Sequence, residues 1–247
     1  MSKTLICLLA LAWCVATNSV NDGGNTGLSE DDRKAILTAH SSIRKSVNPT
    51  ASNMLMLNYS VELEQQAADF LKDCPLGNDS PAGAETNAEL GKTTYIDGSN
   101  AMTFAQIIAE FGKEKDAYTY ENNACAKDKT CSNYTQVVWA ESNEVGCARQ
   151  VCQTQTSSPG NPDSPPVQGE TGGNGRQTDA ETTTQVACFY KPAGNAQNTL
   201  PYETGEICSK CPTNFKCEEN QCVNSAPAML SAVAVLISAL LTTQCFA

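Results

Sequence analysis

Thirteen cysteines in a chain of 247 residues constrain its folding more than any other feature. Cysteine at that density belongs to an oxidising compartment, where thiols pair, and an odd number leaves one without a partner. The two ends of the chain resolve the parity. Residues 1–16 carry one cation, Lys3, an apolar run over 5–15 and a small residue, Ala16, the pattern of a secretory signal peptide. That run is too short to cross a bilayer. Residues 229–247 are again mostly apolar, and they follow Asn224-Ser225-Ala226, small residues of the kind at which a GPI transamidase cuts. Asn224 is then the attachment residue, and 224–247 reads as a GPI-attachment signal. A single-pass membrane anchor is the competing reading, although no Lys or Arg follows the apolar run to mark a cytoplasmic flank. Cys7 and Cys14 leave with the first segment and Cys245 with the last. The cysteines that stay are Cys74, Cys125, Cys131, Cys147, Cys152, Cys188, Cys208, Cys211, Cys217 and Cys222. Their even number predicts five disulfides and few or no free thiols. Metal ligation, the other use of clustered cysteines, does not suit an oxidising compartment.

Residues 17–28 read as a flexible leader. Ser29 then N-caps a first helix whose opening residues, Glu30, Asp31 and Asp32, are acidic, as the helix dipole favours. Ile36, Leu37, His40, Ile43 and Val47 follow at helical spacing, and Asn48-Pro49 ends the run. A second helix is predicted over 61–74 behind Ser60. A third is predicted over 101–115, with Phe104, Ile107, Ile108 and Phe111 inward. Segments 134–139, 145–152 and 184–191 read as strands. Helices first and strands later predict an α+β layered domain over 29–205. Within it, residues 153–183 are rich in Pro, Gly, Ser and Thr without an apolar period, the composition of a disordered hairpin insertion. Residues 206–223 form a separate module whose four cysteines stand in for a core too small to exist. Acidic residues outnumber basic ones by 27 to 16, for a net charge of −11. A chain so charged lacks the basic face that nucleic acid or anionic lipid requires.

Three stretches carry a resemblance. They are Tyr134-Thr135-Gln136-Val137-Val138-Trp139, then Val145-Gly146-Cys147-Ala148-Arg149, then Cys188-Phe189-Tyr190-Lys191-Pro192-Ala193-Gly194-Asn195. They resemble the signatures of the CAP superfamily, which comprises cysteine-rich secretory proteins, insect antigen 5 proteins and plant pathogenesis-related proteins. His40-Ser41-Ser42-Ile43-Arg44 is similar to that family's His-Asn-x-x-Arg element, and Phe111 with Glu114, Tyr118 and Tyr120 to its Trp-x-x-Glu and tyrosine segment. The tail resembles the short cysteine module of parasitic-worm venom-allergen-like proteins. The resemblance implies a three-layer α-β-α sandwich. It also implies the pairs Cys74–Cys152, Cys125–Cys131 and Cys147–Cys188.

It further implies a central cavity lined by two histidines and two glutamates, a group able to bind a divalent metal. His40 matches the first histidine and Glu114 one glutamate. Glu85 or Glu89 takes the place of the other, in a degraded match to a Gly-Glu-Asn-Leu element. The second histidine position holds Asn133, and His40 is the one histidine in the chain. A zinc site with two imidazoles is therefore impossible, carboxylates with one imidazole would hold a divalent metal only weakly, and no cofactor is expected. No G-x-S-x-G nucleophile motif occurs, and the even cysteine count argues against a reactive thiol. Asn133 also opens an Asn-x-Thr sequon, as Asn58 and Asn78 open Asn-x-Ser sequons. Asn133 is either glycosylated or an unmodified side chain hydrogen-bonding where the imidazole would stand. The expected function is a non-enzymatic secreted or cell-surface protein that binds another extracellular protein. The alternative is carriage of a sterol or fatty acid. A role in channel modulation, known for relatives with a six-cysteine tail domain, does not suit a tail of four.

Overall fold

The computed structural model describes residues 27–76, 89–99, 101–153 and 182–224. The first helix, α1 (Glu30–Arg44), starts where the sequence places its cap: the Ser29 hydroxyl accepts from the Asp32 amide. The chain then forms β1 (Asn58–Tyr59), α2 (Val61–Leu71) behind its cap Ser60, and β2 (Gly91–Asp97). Helix α3 (Phe104–Lys113) begins later than its hydrophobic pattern suggests, because Thr103 and Gln106 close a capping box. Glu114 therefore falls beyond α3, in a 3-10 turn spanning Glu114–Ala117, and not on the helix.

Short strands β3 (Tyr118–Thr119) and β4 (Ala124–Cys125) pair with each other. Next comes the main departure from expectation. Segment 134–139, predicted as a strand from its β-branched and aromatic residues, forms instead the helix α4 (Ser132–Val137). The cause is non-local and becomes visible at the site below. Strands β5 (Glu144–Gln153) and β6 (Thr182–Lys191) complete the main sheet, and β7 (Phe215–Glu218) pairs with β8 (Gln221–Asn224) in the tail.

The main sheet has the order β1-β5-β6-β2, with β1 parallel to β5 and the other pairs antiparallel. Because side chains alternate across a strand, its two faces carry two separate cores. Val145, Cys147, Val186, Cys188 and Tyr190 face one side, buried with Ile36 of α1 and with Phe104, Ile107, Ile108 and Phe111 of α3. Ala148, Ala187 and Phe189 face the other, against Leu63, Ala67 and Leu71 of α2. Helix α2 lies close enough that a Cβ on Gly146 would come within 2.2 Å of the Glu64 backbone nitrogen. The layers are thus α-β-α.

Five disulfides form: Cys74–Cys152, Cys125–Cys131, Cys147–Cys188, Cys208–Cys217 and Cys211–Cys222. Residues Gly27–Val223 make one compact unit, and the tail is laced into it by backbone bonds. Cys222 donates to the Met54 carbonyl at 2.7 Å and accepts from the Met56 amide at 2.9 Å. The expected signal peptide, most of the leader, Asn78, Glu85, nearly all of the 153–183 insertion and residues 225–247 lie outside the described residues. Among those described, no helix is long and apolar enough to cross a membrane.

Candidate functional site

The residues that carried the resemblance converge on α4. A six-residue helix is too short to be stable by itself, and Tyr134, Thr135 and Val137 prefer extended backbone. Two charged side chains from elsewhere hold it. At its N-terminus the Glu114 carboxylate accepts from the Tyr134 backbone N–H at 3.0 Å and from the Asn133 amide nitrogen at 2.7 Å. At its C-terminus the Arg44 guanidinium donates to the Val137 and Trp139 carbonyls, both at 2.8 Å. The same group donates to the carbonyls of Leu55, Ala140 and Ser142. An anion at the first turn and a cation at the last both complement the helix dipole.

Arg44 is 1% exposed and has no carboxylate partner among the described residues. Backbone carbonyls alone balance its charge. Burial pushes the guanidinium down to about 9, so it is still cationic at neutral pH.

His40, one turn earlier on α1, is fully buried. Its Nδ1 lies 2.8 Å from the Ile36 carbonyl and its Nε2 2.8 Å from the Tyr190 hydroxyl. A carbonyl only accepts, so Nδ1 carries the proton and Nε2 accepts from Tyr190 O–H. The Thr93 hydroxyl, 3.2 Å away, then donates to Tyr190. Burial, opposed by the Ile36 bond and aided by the cation of Arg44, lowers the imidazole to about 4. Burial likewise raises the Tyr190 hydroxyl above the usual tyrosine range.

These bonds do not join His40 to Glu114. The imidazole is bonded to Ile36 and Tyr190, and the carboxylate to Asn133 and Tyr134. Asn133 is half-buried, and its Oδ1 accepts from the Thr94 amide at 3.2 Å. Glu89 lies exposed at the turn before β2, and Glu85 is outside the described residues. A metal finds a poor donor set here. The one imidazole nitrogen with a lone pair is capped by Tyr190, and both Glu114 oxygens already accept hydrogen bonds. In the tail, the sulfurs of Cys208, Cys211 and Cys222 lie within 4.8 Å of one another. Each is in a disulfide, so no thiolate is offered.

The role of Arg44 was missed by sequence reasoning, although its position four residues after His40 on an apolar stripe was a usable signal. An arginine on a buried helix face needs acceptors, and the nearest unsatisfied ones are helix C-terminal carbonyls. Gln136 was missed too. Buried on α4, it accepts from the Gly194 amide at 2.9 Å and donates to the Ser142 hydroxyl at 3.2 Å, pinning 192–195 to the helix.

Comparison with known proteins bears on this arrangement. The profile of the cysteine-rich secretory protein family, CAP, matches residues 37–161, about half of the chain. Peptidase inhibitor 16 of Mus musculus is 27% identical over 200 residues, which cover 81% of this chain and 35% of that protein. The chain thus spans about a third of that relative's length. Cysteine-rich secretory protein 2 of Cavia porcellus is 29% identical over 218 residues, covering 86% of this chain and 78% of its own. Among solved structures, BmVAL-1 superimposes with a TM-score of 0.57 at 21% identity, over 83% of this chain and 98% of that one.

Proposed function

This chain belongs to the cysteine-rich secretory protein (CAP) family, and from that premise we propose that it is a non-enzymatic extracellular protein that acts by binding another protein. The observation that carries this reading is that both ring nitrogens of His40 and both carboxylate oxygens of Glu114 are engaged in hydrogen bonds inside the protein. A general base needs a free lone pair near neutral pH, and His40 has neither the lone pair nor the pKa. A binding role agrees with the name of the mouse relative, a peptidase inhibitor. Secretion through the N-terminal signal, a GPI anchor at Asn224 and a glycan at Asn58 belong to the same proposal.

The second reading is carriage of a sterol or fatty acid. Its support is a cavity of about 320 Å³ between α1 and the tail hairpin, where Leu37, Met56 and Leu57 form an apolar part of a lining that also includes Lys45 and Glu219. One experiment separates the two. Labelled protein from eukaryotic cells is applied to intact cells, and the same preparation is titrated with cholesterol and with palmitate. Saturable cell binding that trypsin treatment of the cells abolishes, with flat lipid titrations, supports the first reading. Near-equimolar saturable lipid binding, with no protease-sensitive cell binding, overturns it in favour of the second.

A further inference from the structure

Two cavities, of about 480 and 420 Å³, meet along Trp139, Thr199 and Pro201 and form one surface groove. It lies outside the cluster of His40, Glu114 and Asn133, none of which lines it. Its size is that of a small-ligand site, and its walls are fastened before any ligand arrives. The Cys125–Cys131 disulfide closes one wall. Two asparagines cross-link that wall and α4 to the 195–201 segment opposite. Asn123 donates through Nδ2 to the Thr199 carbonyl at 3.0 Å and accepts from the Tyr118 hydroxyl at 2.7 Å. Asn195 donates through Nδ2 to the Ser132 carbonyl at 2.9 Å and accepts from the Thr135 hydroxyl at 2.7 Å.

Because a carbonyl accepts only, both amide orientations are determined without ambiguity. Each amide has two N–H bonds and two acceptor lone pairs. Each therefore keeps one spare donor beside one spare acceptor, held at a fixed angle. At the junction of the two cavities stands Trp139, 4% exposed. Its indole N–H has no partner among the described residues. Trp139 lines both cavities, and this N–H is not sealed in protein as Arg44 Nε and Gln221 Oε1 are.

We propose that this groove binds a neutral oligosaccharide. A sugar hydroxyl both donates and accepts, which matches the paired donor and acceptor that each fixed asparagine offers. The indole N–H supplies a donor to a ring, hydroxyl or acetamido oxygen. Fixed amides also spare the ligand the cost of ordering them. Lys129 is the only charged group lining the larger cavity, and no aliphatic side chain beyond Ala196 and Pro201 lines it. The smaller cavity adds Glu141, Glu203 and Lys210, so two carboxylates face two ammonium groups along the whole groove, and its further aliphatic side chains are Ala140 and Leu200. The lining favours neither an anion nor a long acyl chain. The proposal does not depend on the protein partner inferred above, since it concerns a different class of ligand and a separate readout.

The test is a titration of the ¹⁵N-labelled protein with chitobiose, mannobiose and lactose, each up to about 10 mM, read at the Trp139 indole N–H. At least one sugar is expected to shift that signal saturably. Asn195→Ala should weaken the binding by about tenfold or more. A Ser132→Ala, Gln197→Ala double variant removes groove groups that make no internal side-chain bond. It should also weaken binding while leaving Tm unchanged, which guards against a folding defect in Asn195→Ala. An indole signal unmoved by all three sugars overturns the proposal, and so does binding that survives both variants.

Discussion

His40 is the one histidine in the chain, so its proton can be followed without interference. In the unfolded chain an imidazole titrates near pH 6.5, whereas burial lowers it to about 4 in the folded protein. The unfolded state therefore takes up the proton first, and stability rises with pH wherever the unfolded state holds more protons. The stability linked to neutral His40 is fully present above about pH 6.5 and lost as pH drops towards 4. Its magnitude follows from the two values. The loss is about 0.2 kcal/mol at pH 7, about 2 kcal/mol at pH 5 and about 3 kcal/mol at pH 4. Complete burial means that solvent screening does not reduce these figures. Carboxylates act lower on the scale. Burial works to raise Glu64, but bonds from Arg33, Tyr59 and the Leu28 amide hold it below its usual range. Its contribution is lost only below about pH 4.5, so the interval above pH 5 reports His40. The assay is urea unfolding at pH 7 and pH 5 with disulfides intact, for the natural protein and for His40→Gln. The natural protein should lose about 2 kcal/mol between the two, and the variant less than about 0.5 kcal/mol, whatever its starting stability. An NMR titration of the single imidazole supplies the pKa directly. Equal pH sensitivity in both proteins, or an imidazole titrating near its ordinary value in the folded state, would refute the reasoning.

Arg44→Met removes the donors that five carbonyls share. It should cost about 3–5 kcal/mol of unfolding free energy, with Arg44→Lys intermediate; a loss below about 1 kcal/mol would show that α4 does not need the cation. Gly146→Ala places a Cβ 2.4 Å from the Ser60 carbonyl oxygen as well as against Glu64. Both contacts are backbone and cannot swing aside, so a loss of about 3 kcal/mol is expected from the urea midpoint. Protein from eukaryotic cells should carry a glycan at exposed Asn58 and none at Asn133, whose amide nitrogen is bonded to Glu114. Glycopeptide mass spectrometry before and after glycosidase decides this, and a glycan at Asn133 is the contrary result.

What could be read from the chain and what could not divide along a physical line. Ser29 and Ser60 announced two helix starts because capping is a contact between residues three apart. Residues 145–152 and 184–191 read as strands because burial of an edge-to-edge pair leaves a local imprint in β-branched and small residues. Strand β2 was missed. Its Thr93, Thr94, Tyr95 and Ile96 do favour extended backbone, but it was not predicted as a strand, and pairing with β6 is what places it in the sheet. Segment 134–139 misled the other way. Its local preference for strand is real, but Glu114 and Arg44, 20 and 93 residues away from their partners in sequence, outweigh it. The number of disulfides was legible from parity, while three of the pairings came only with the family resemblance and the two tail pairings only with the structure.

The same long-range bonds give the family-signature residues of this chain a structural role. His40, Arg44, Glu114 and Tyr190 would be expendable if their value lay in a reactive cavity. Each instead completes the hydrogen bonding of a buried neighbour. Replacing any one leaves an orphaned buried group, at about 1–3 kcal/mol apiece. Asn133 fits this logic, because an amide satisfies Glu114 and the Thr94 N–H together without a titratable proton. A fold can therefore hold its signature residues by packing alone while its binding capacity moves to the surface. Polar groups there, such as the spare donors of Asn123, Asn195 and Trp139, are free of that obligation.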